Sequence, residues 1–226
     1  MSFLQYLDSD LLVLNKRPGE AVETRKRGVE TVVAHWRSVL GDAGLQPVHR
    51  IDQPIGGLVV LSRHSDSAAA LHRQFRDGTV FREYVAVVTA PPQDRSATIE
   101  DRITTDSSRN RSTVDSAGKP SRLHYQVIGA TTHHTVLLVR LETGRHHQIR
   151  VQLAHRGWHV LGDAKYGARR PLRDKSIGLF AWRISFSHPR TGQTMVFQAE
   201  LPAGAMWASV GATLRESVTS REGADR

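Results

Sequence analysis

Apolar positions along the chain gather into short runs set apart by polar, glycine- and proline-bearing breaks. Leu11-Leu12-Val13-Leu14 reads as an apolar strand, stopped by Asn15-Lys16-Arg17-Pro18-Gly19. Val29, Val32, Val33, Trp36 and Leu40 then follow helical spacing, with Gly41 as the C-terminal stop. A second apolar strand, Leu58 to Leu61, precedes a helix that carries Ala68, Leu71 and Phe75. Ser65 or Asp66 is placed to cap that helix and Gly78 to end it. Val80 to Val88 is rich in strand formers and predicts a central strand containing Tyr84. Between residues 91 and 121 polar and turn-forming residues dominate. Short strands joined by exposed basic loops (Arg102, Arg109, Arg111, Lys119, Arg122) are expected there. Strands follow at Tyr125–Ile128 and Thr135–Leu141, then a helix from Gly144 to Gly157. A hairpin of Ile177–Phe186 and Thr194–Glu200 turns at Pro189-Arg190-Thr191-Gly192.

Strands outnumber helices and do not alternate with them regularly, which predicts an α+β fold with a mostly antiparallel mixed sheet, flanking helices and loops. The expected division is one domain over residues 1–204, made of two closely packed halves, then a C-terminal helix or frayed polar tail over 205–226. A chain of 226 residues is long enough to bury a sizeable core.

Charge changes the picture more than size does. Lys and Arg number 31 against 22 Asp and Glu, a net charge of +9, which favours a polyanionic partner. No apolar run approaches the roughly 20 residues of a spanning helix, so nucleic acid is favoured over a membrane. The opening residues lack the basic and apolar regions of a signal peptide. The chain has no cysteine, which removes disulfides, thiolate metal sites and cysteine nucleophiles and fits a cytoplasmic setting.

Two segments carry the candidate chemistry. His49-Arg50-Ile51-Asp52-Gln53-Pro54-Ile55-Gly56-Gly57-Leu58 sets one carboxylate beside an arginine, just ahead of a turn and an apolar strand. Asp52 reads either as a turn residue bonding its own backbone or as a functional acid held rigid by its proline and glycine neighbours. Thr143-Gly144-Arg145-His146-His147-Gln148-Ile149-Arg150-Val151 sets two arginines, two histidines and an amide on what look like the first turns of a helix. With Ile149 and Leu153 facing the core, Arg145 and Arg150 form either a solvated basic face or a partly covered cation in need of a carboxylate. His146-His147 and His133-His134 invite a metal. Adjacent helical residues do not share a face, and no acid or cysteine stands at ligand spacing, so no metal is expected. No phosphate loop and no serine nucleophile elbow appears.

These segments resemble those of the RluA family of pseudouridine synthases. The first matches the family's His-Arg-Leu-Asp signature with its trailing Gly-Leu. The second matches Thr-Gly-Arg-Thr-His-Gln-Ile-Arg-Val with only His146 in place of Thr. Co-linear pieces agree: Arg82-Glu83-Tyr84-Val85-Ala86 with Lys-x-Tyr-x-Ala, and Lys119 to Tyr125 with Lys-x-Ala-x-Thr-x-Tyr. Gly162-Asp163-Ala164-Lys165-Tyr166-Gly167 matches Gly-Asp-x-x-Tyr-Gly, and Phe186-Ser187-His188-Pro189 matches Phe-x-His-Pro. Ile55 and Gly56 depart from the usual Thr/Val and Ser, and Lys16-Arg17-Pro18-Gly19 is the family's Lys-Pro-x-Gly shifted by one.

The resemblance implies a pseudouridine synthase catalytic fold around a central RNA-binding cleft. It implies isomerisation of uridine in structured rRNA or tRNA by base flipping, without cofactor or metal, in a chain expected to be a monomer. Asp52 would be the essential carboxylate, attacking the ribose or the base or abstracting a ribose proton. Tyr84 would stack on the target base, and Arg150 would pair with Asp52. Arg50 would fill the gap left by the flipped uridine, Ile149 would pack beside the pyrimidine, and His49, Arg145 and His147 would complete the RNA contacts. The family often carries an N-terminal S4 RNA-binding domain; the chain begins close to the catalytic region, so a minimal member is expected. A catalytically silent RNA-binding module would be favoured by loss of Asp52, Tyr84 or Arg150, and all three are present. A methyltransferase would want a glycine-rich cofactor loop, which the chain lacks.

Overall fold

The computed structural model describes residues 2–24, 28–130 and 134–224, with side chains through Arg215. His133 and the last two residues, on which the His133-His134 pair and the end of the expected tail depend, lie outside the described residues.

The strands are β1 (Phe3–Leu7), β2 (Leu11–Lys16), β3 (Gln46–Pro47), β4 (Gly56–Ser62), β5 (Phe81–Val88), β6 (Ser96–Asp106), β7 (Arg111–Val114), β8 (Lys119–Ala130), β9 (Thr135–Leu141), β10 (Leu179–Ser187) and β11 (Thr194–Gln198). They form one sheet in the order β1-β2-β4-β10-β5-β9-β8-β6-β7, with β3 on β4 and β11 on β10. Every pairing is antiparallel except the short parallel contact of β4 with β10. The helices are α1 (Val32–Leu40), α2 (Ser65–Arg76), α3 (Gln148–His155) and α4 (Ala205–Ala224). The α+β architecture with a mostly antiparallel sheet is the one the sequence predicts.

Helices cover both faces of the central strands, and β2 and β4 therefore read as continuous apolar runs instead of alternating ones. Leu12, Leu14, Val59 and Leu61 pack with Val32, Val33 and Trp36 of α1 and with Ile149 and Leu153 of α3. Leu11, Val13, Leu58 and Val60 face the other way, onto Ala68 and Leu71 of α2 and Trp207, Val210 and Leu214 of α4.

Four boundaries differ from expectation. α1 starts after Thr31, whose side chain accepts from the Ala34 amide at 3.1 Å, so Val29 lies outside the helix and is exposed. The cap of α2 is His64, with no side-chain cap bond, in place of Ser65 or Asp66. The stretch expected as short strands and loops is two long strands, β6 and β8, joined through β7. The basic residues expected there are exposed as foreseen, but several are carried on the strands themselves. The edge strand β1 escaped the sequence reading because Phe3, Leu4 and Leu7 remain exposed, so no buried face patterns it.

Candidate active site

Asp52 occupies the turn that opens β4. Ile55 donates its amide to the Asp52 carbonyl at 3.0 Å and closes the turn over Gln53-Pro54. Gln53 ties the turn to the 16–20 loop. Its carbonyl accepts from the Gly19 amide at 2.7 Å and from Lys16 Nζ at 3.3 Å, and its own amide donates to the Gly19 carbonyl at 2.9 Å. Lys16 is fully buried and also donates to the carbonyls of Arg17 (2.9 Å) and Glu20 (2.8 Å). Burial pulls its ammonium down to about 8, against the opposing pull of Glu20 and Asp52.

The strands set the other groups by register. Lys16 pairs with Gly57, Gly57 with Ala181, Ala181 with Tyr84, and Tyr84 with Val139, one continuous row across five strands. Gly57 has φ of 116°, and a Cβ there would stand 2.2 Å from the Ala181 carbonyl oxygen, so only glycine permits the β4–β10 contact. At Gly56 a Cβ would stand 3.0 Å from the Pro18 ring, a tight fit for any side chain.

The arginine-rich segment is not helical where expected. Thr143 to His147 form a turn, and α3 begins only at Gln148. Gln148 stitches that turn: its Oε1 accepts from Thr143 Oγ1 (2.8 Å) and the Arg145 amide (2.9 Å), and its Nε2 donates to the Arg122 carbonyl (3.1 Å). His147 caps the helix in the left-handed region, φ 54°. As the pair lies in a turn, the rule that adjacent helical residues do not share a face fails. The His146 and His147 rings stack with centroids 3.7 Å apart.

Arg150 is 4% exposed, and α3 is buried from Gln148 through Leu153, so neither a solvated face nor a partly covered stem describes it. Its Nε and Nη2 donate to the two carboxylate oxygens of Asp163 at 2.7 and 2.8 Å, and Nη1 donates to Asp52 Oδ2 at 2.8 Å. The bidentate partner is therefore Asp163, and Asp52 takes the remaining nitrogen. Burial alone would depress the guanidinium; Asp163 and then Asp52 outweigh it and raise it above its ordinary value.

Among the described residues Asp52 is held on one oxygen only, with its side chain 22% exposed. His147 Nε2 stands 3.5 Å from the same oxygen. Burial, aided by Arg150, pushes His147 down to about 2, so the contact is not an ion pair. Tyr166 Oη accepts the Ser112 amide at 2.8 Å and meets His147 Nδ1 at 2.7 Å. A phenol donating to Nδ1 leaves the imidazole proton on Nε2, facing Asp52, and this tautomer avoids two lone pairs in opposition.

Tyr84 is buried, and burial holds its phenol above the ordinary value, with Arg82 opposing and Asp52 reinforcing. Asp52, Tyr84, Ile149, Arg150 and His147 line one cavity of about 610 Å³ together with Arg50, His49, Arg145 and Arg82. The nine residues singled out from sequence or resemblance and now brought together thus include all eight expected site residues. Arg50 is exposed, 3.6 Å from Glu23, and Arg145 Nε donates to the Pro120 carbonyl at 2.9 Å. His49 Nε2 accepts the Val60 amide at 3.0 Å, and burial with Arg82 nearby drives it down to about 3, so it brings no charge to the cavity.

Asp163 stands in the sequence only as part of the Gly-Asp-x-x-Tyr-Gly match, and its grip on Arg150 was not foreseen. Nor was it foreseen that His188, quoted in the Phe-x-His-Pro match, meets Asp8 and Asp10, with ligand-type atoms of all three within 4.8 Å of one another. Their atoms are already engaged. Arg190 donates to both Asp10 oxygens at 2.7 Å, Ser67 donates to Asp10 at 2.7 Å, and Asp8 bonds Tyr6 and His188 at 2.8 Å.

The site thus sets one carboxylate on a buried arginine, with a tyrosine and several further basic side chains lining the same cavity. Residues 10–155 match the family model described as RNA pseudouridylate synthase. The chain is 35% identical over 211 residues to the RNA pseudouridine synthase YlyB of Bacillus subtilis, covering 88% of this chain and 69% of that protein. It is 32% identical over 216 residues to ribosomal large subunit pseudouridine synthase D of Pasteurella multocida, covering 87% and 66%. It spans about two thirds of the length of these relatives. The structure is similar to human RNA pseudouridylate synthase domain containing 1, with a TM-score of 0.74 at 21% identity over 94% of both chains, a likeness of fold. The chain belongs to the RluA family of RNA pseudouridine synthases and is an isomerase. Among the described residues no helix is long and apolar enough to cross a membrane.

Proposed function

We propose that this protein isomerises specific uridines in structured ribosomal RNA, with Asp52 as the catalytic carboxylate and a flipped uridine as the reacting species. The observation that carries this reading is the Asp52–Arg150 contact at 2.8 Å, which holds a carboxylate in a cavity wide enough for a nucleoside. The ribosomal relative named above supports rRNA over tRNA as the substrate.

In the reaction the C1′–N1 bond breaks and a C1′–C5 bond forms. C5 loses a proton and N1 gains one, so no atom or electron is supplied from outside and no cofactor is called for. Asp52 starts the exchange at the ribose or at the base. The neutral Tyr84 ring offers a stacking face to the flipped base in the cavity that Asp52 also lines. Ile149 walls the pyrimidine. Arg50, exposed at the rim, fills the space vacated by the flipped base, a step that otherwise costs a few kcal/mol of unstacking. The exposed arginines of β6 to β8 supply attraction to phosphate that does not depend on sequence. The absence of cysteine fits work in the cytoplasm beside the ribosome.

The test is pseudouridine-selective mapping of ribosomal and transfer RNA from cells with and without the gene. Sites that vanish from rRNA on deletion and return with purified protein support the proposal. Sites lost only from tRNA would move the substrate, and an unchanged map would refute the activity.

A further inference from the structure

Arg82 is a cation without an anion. It lies on β5, two residues before Tyr84 and therefore on the same face, and it lines the cavity with Asp52. No carboxylate among the described residues pairs with its guanidinium, and its buried Nε has no hydrogen-bond partner. The Phe75 ring lies 5.6 Å from its Cζ, and Tyr84 and His49 are close enough to feel its charge. The acids that line the cavity are committed elsewhere. Asp52 is held by Arg150, and Glu142 is bonded to His124 and sits 3.4 Å from Arg122. The guanidinium is also built into its place. A Cβ on Gly144 would stand 2.7 Å from Arg82 Nη1, so that glycine leaves the room Arg82 fills.

An unpaired, largely desolvated guanidinium costs stability in the free protein, and burial accordingly weakens its hold on its proton. Such a cost is offset when an anion enters. A uracil and a ribose are neutral, and the phosphodiester is the only anionic group RNA carries. A guanidinium fork matches two phosphate oxygens.

We infer that Arg82 is a phosphate-binding residue of the cavity, holding a phosphodiester adjacent to the target uridine through its guanidinium. The inference rests on the RNA-isomerising reading above. It differs from the roles of Arg50, at the exposed rim, and of Arg150, whose nitrogens are spent on Asp163 and Asp52. Placed on the strand that carries Tyr84, Arg82 fixes where the backbone of the flipped nucleotide stops and so how far the base reaches into the cavity.

The test uses a synthetic hairpin built around a uridine that the wild-type protein converts in ribosomal RNA. It is prepared unmodified and with a neutral methylphosphonate at the linkage 5′ or 3′ to that uridine. Failure of the wild-type protein to convert any uridine is a failure of the activity itself and is read before the hairpins are made. Arg82→Gln should weaken binding of the unmodified hairpin about tenfold and lower the salt slope by roughly one phosphate contact. One of the two methylphosphonates should weaken wild-type binding by a similar factor and leave Arg82→Gln nearly unchanged. Arg82→Lys should recover the salt slope but only part of the affinity. Arg82→Gln should also melt no lower than wild type, since an unpaired charge has been removed. Should Arg82→Gln fail to fold, the same comparison is made with Arg82→Lys, whose deficit against wild type must vanish on the sensitive methylphosphonate. Full affinity in Arg82→Gln, or an equal loss for variant and wild type at both methylphosphonates, would overturn the inference.

Discussion

Asp163 grips Arg150 by Nε and Nη2 and leaves Nη1 alone to reach Asp52. The orientation of the proposed catalytic acid is thus set by a second acid, 13 residues after the arginine, that does not line the cavity. The family match ends at residue 155, so this second acid lies beyond the matched span.

Removing that grip should be costly in two separable ways. Asp163→Ala leaves a buried guanidinium half paired, and the protein should lose on the order of 3 kcal/mol of stability, measured by urea unfolding. Turnover should fall as well, because Nη1 no longer has a fixed origin. Replacing both partners, Asp163→Leu with Arg150→Met, should recover much of the stability and none of the activity. Recovery of activity in that pair would show that Asp52 needs no arginine.

Asp52→Asn should abolish pseudouridine formation while circular dichroism and RNA affinity stay close to wild type. The amide keeps the shape and loses the charge, and no second acid in the cavity stands free to replace it. The readout is pseudouridine-selective chemistry on total ribosomal RNA. Appreciable turnover in the folded variant would sink the assignment of Asp52.

Lys16 predicts a pH dependence of stability with a definite sign. Its folded value of about 8 lies below the ordinary 10.5, so between these values the unfolded chain binds the proton more tightly than the folded one. Stability should therefore rise with pH across that window, by on the order of 3 kcal/mol from this group alone. Below pH 8 the penalty is present in full. Lys16→Met should flatten that rise in urea-unfolding curves taken from pH 7 to pH 11. It should also impair turnover, because the 17–20 loop and the Gln53 carbonyl lose their common donor.

Gly57→Ala should cost roughly 3 to 5 kcal/mol, combining an unfavourable backbone angle with a clash against the Ala181 carbonyl. Thermal melting is the measure. A melting temperature within a few degrees of wild type would mean that β4 and β10 part readily.

Much of this was legible in the chain. The buried strands announced themselves because both faces are covered, and the residues around Asp52, Tyr84 and Arg150 stand in local motifs. Other parts depend on contacts that no local pattern shows. Over β6 only Ile99 and Ile103 are fully buried, so a long strand on the sparsely covered wing of the sheet reads like loop. Asp163 looks like an ordinary turn aspartate, since its partner is met only when α3 and the following turn fold together. Arg82 stood in a recognisable motif, yet its lack of a carboxylate partner among the described residues is visible only once the acids around it have been placed.

The seam between β4 and β10 bears on when the enzyme comes into being. β4 and β5 are joined in sequence through α2, yet they are not neighbours; β10, ending at Ser187, lies between them. Gly57 and Tyr84 both lean on Ala181, so a growing polypeptide that has not yet released that strand from the ribosome holds every proposed catalytic side chain and still has no site. Closing such distant segments is the slow kind of folding event. Activity should therefore arrive all at once and late, after nearly the whole chain has been made.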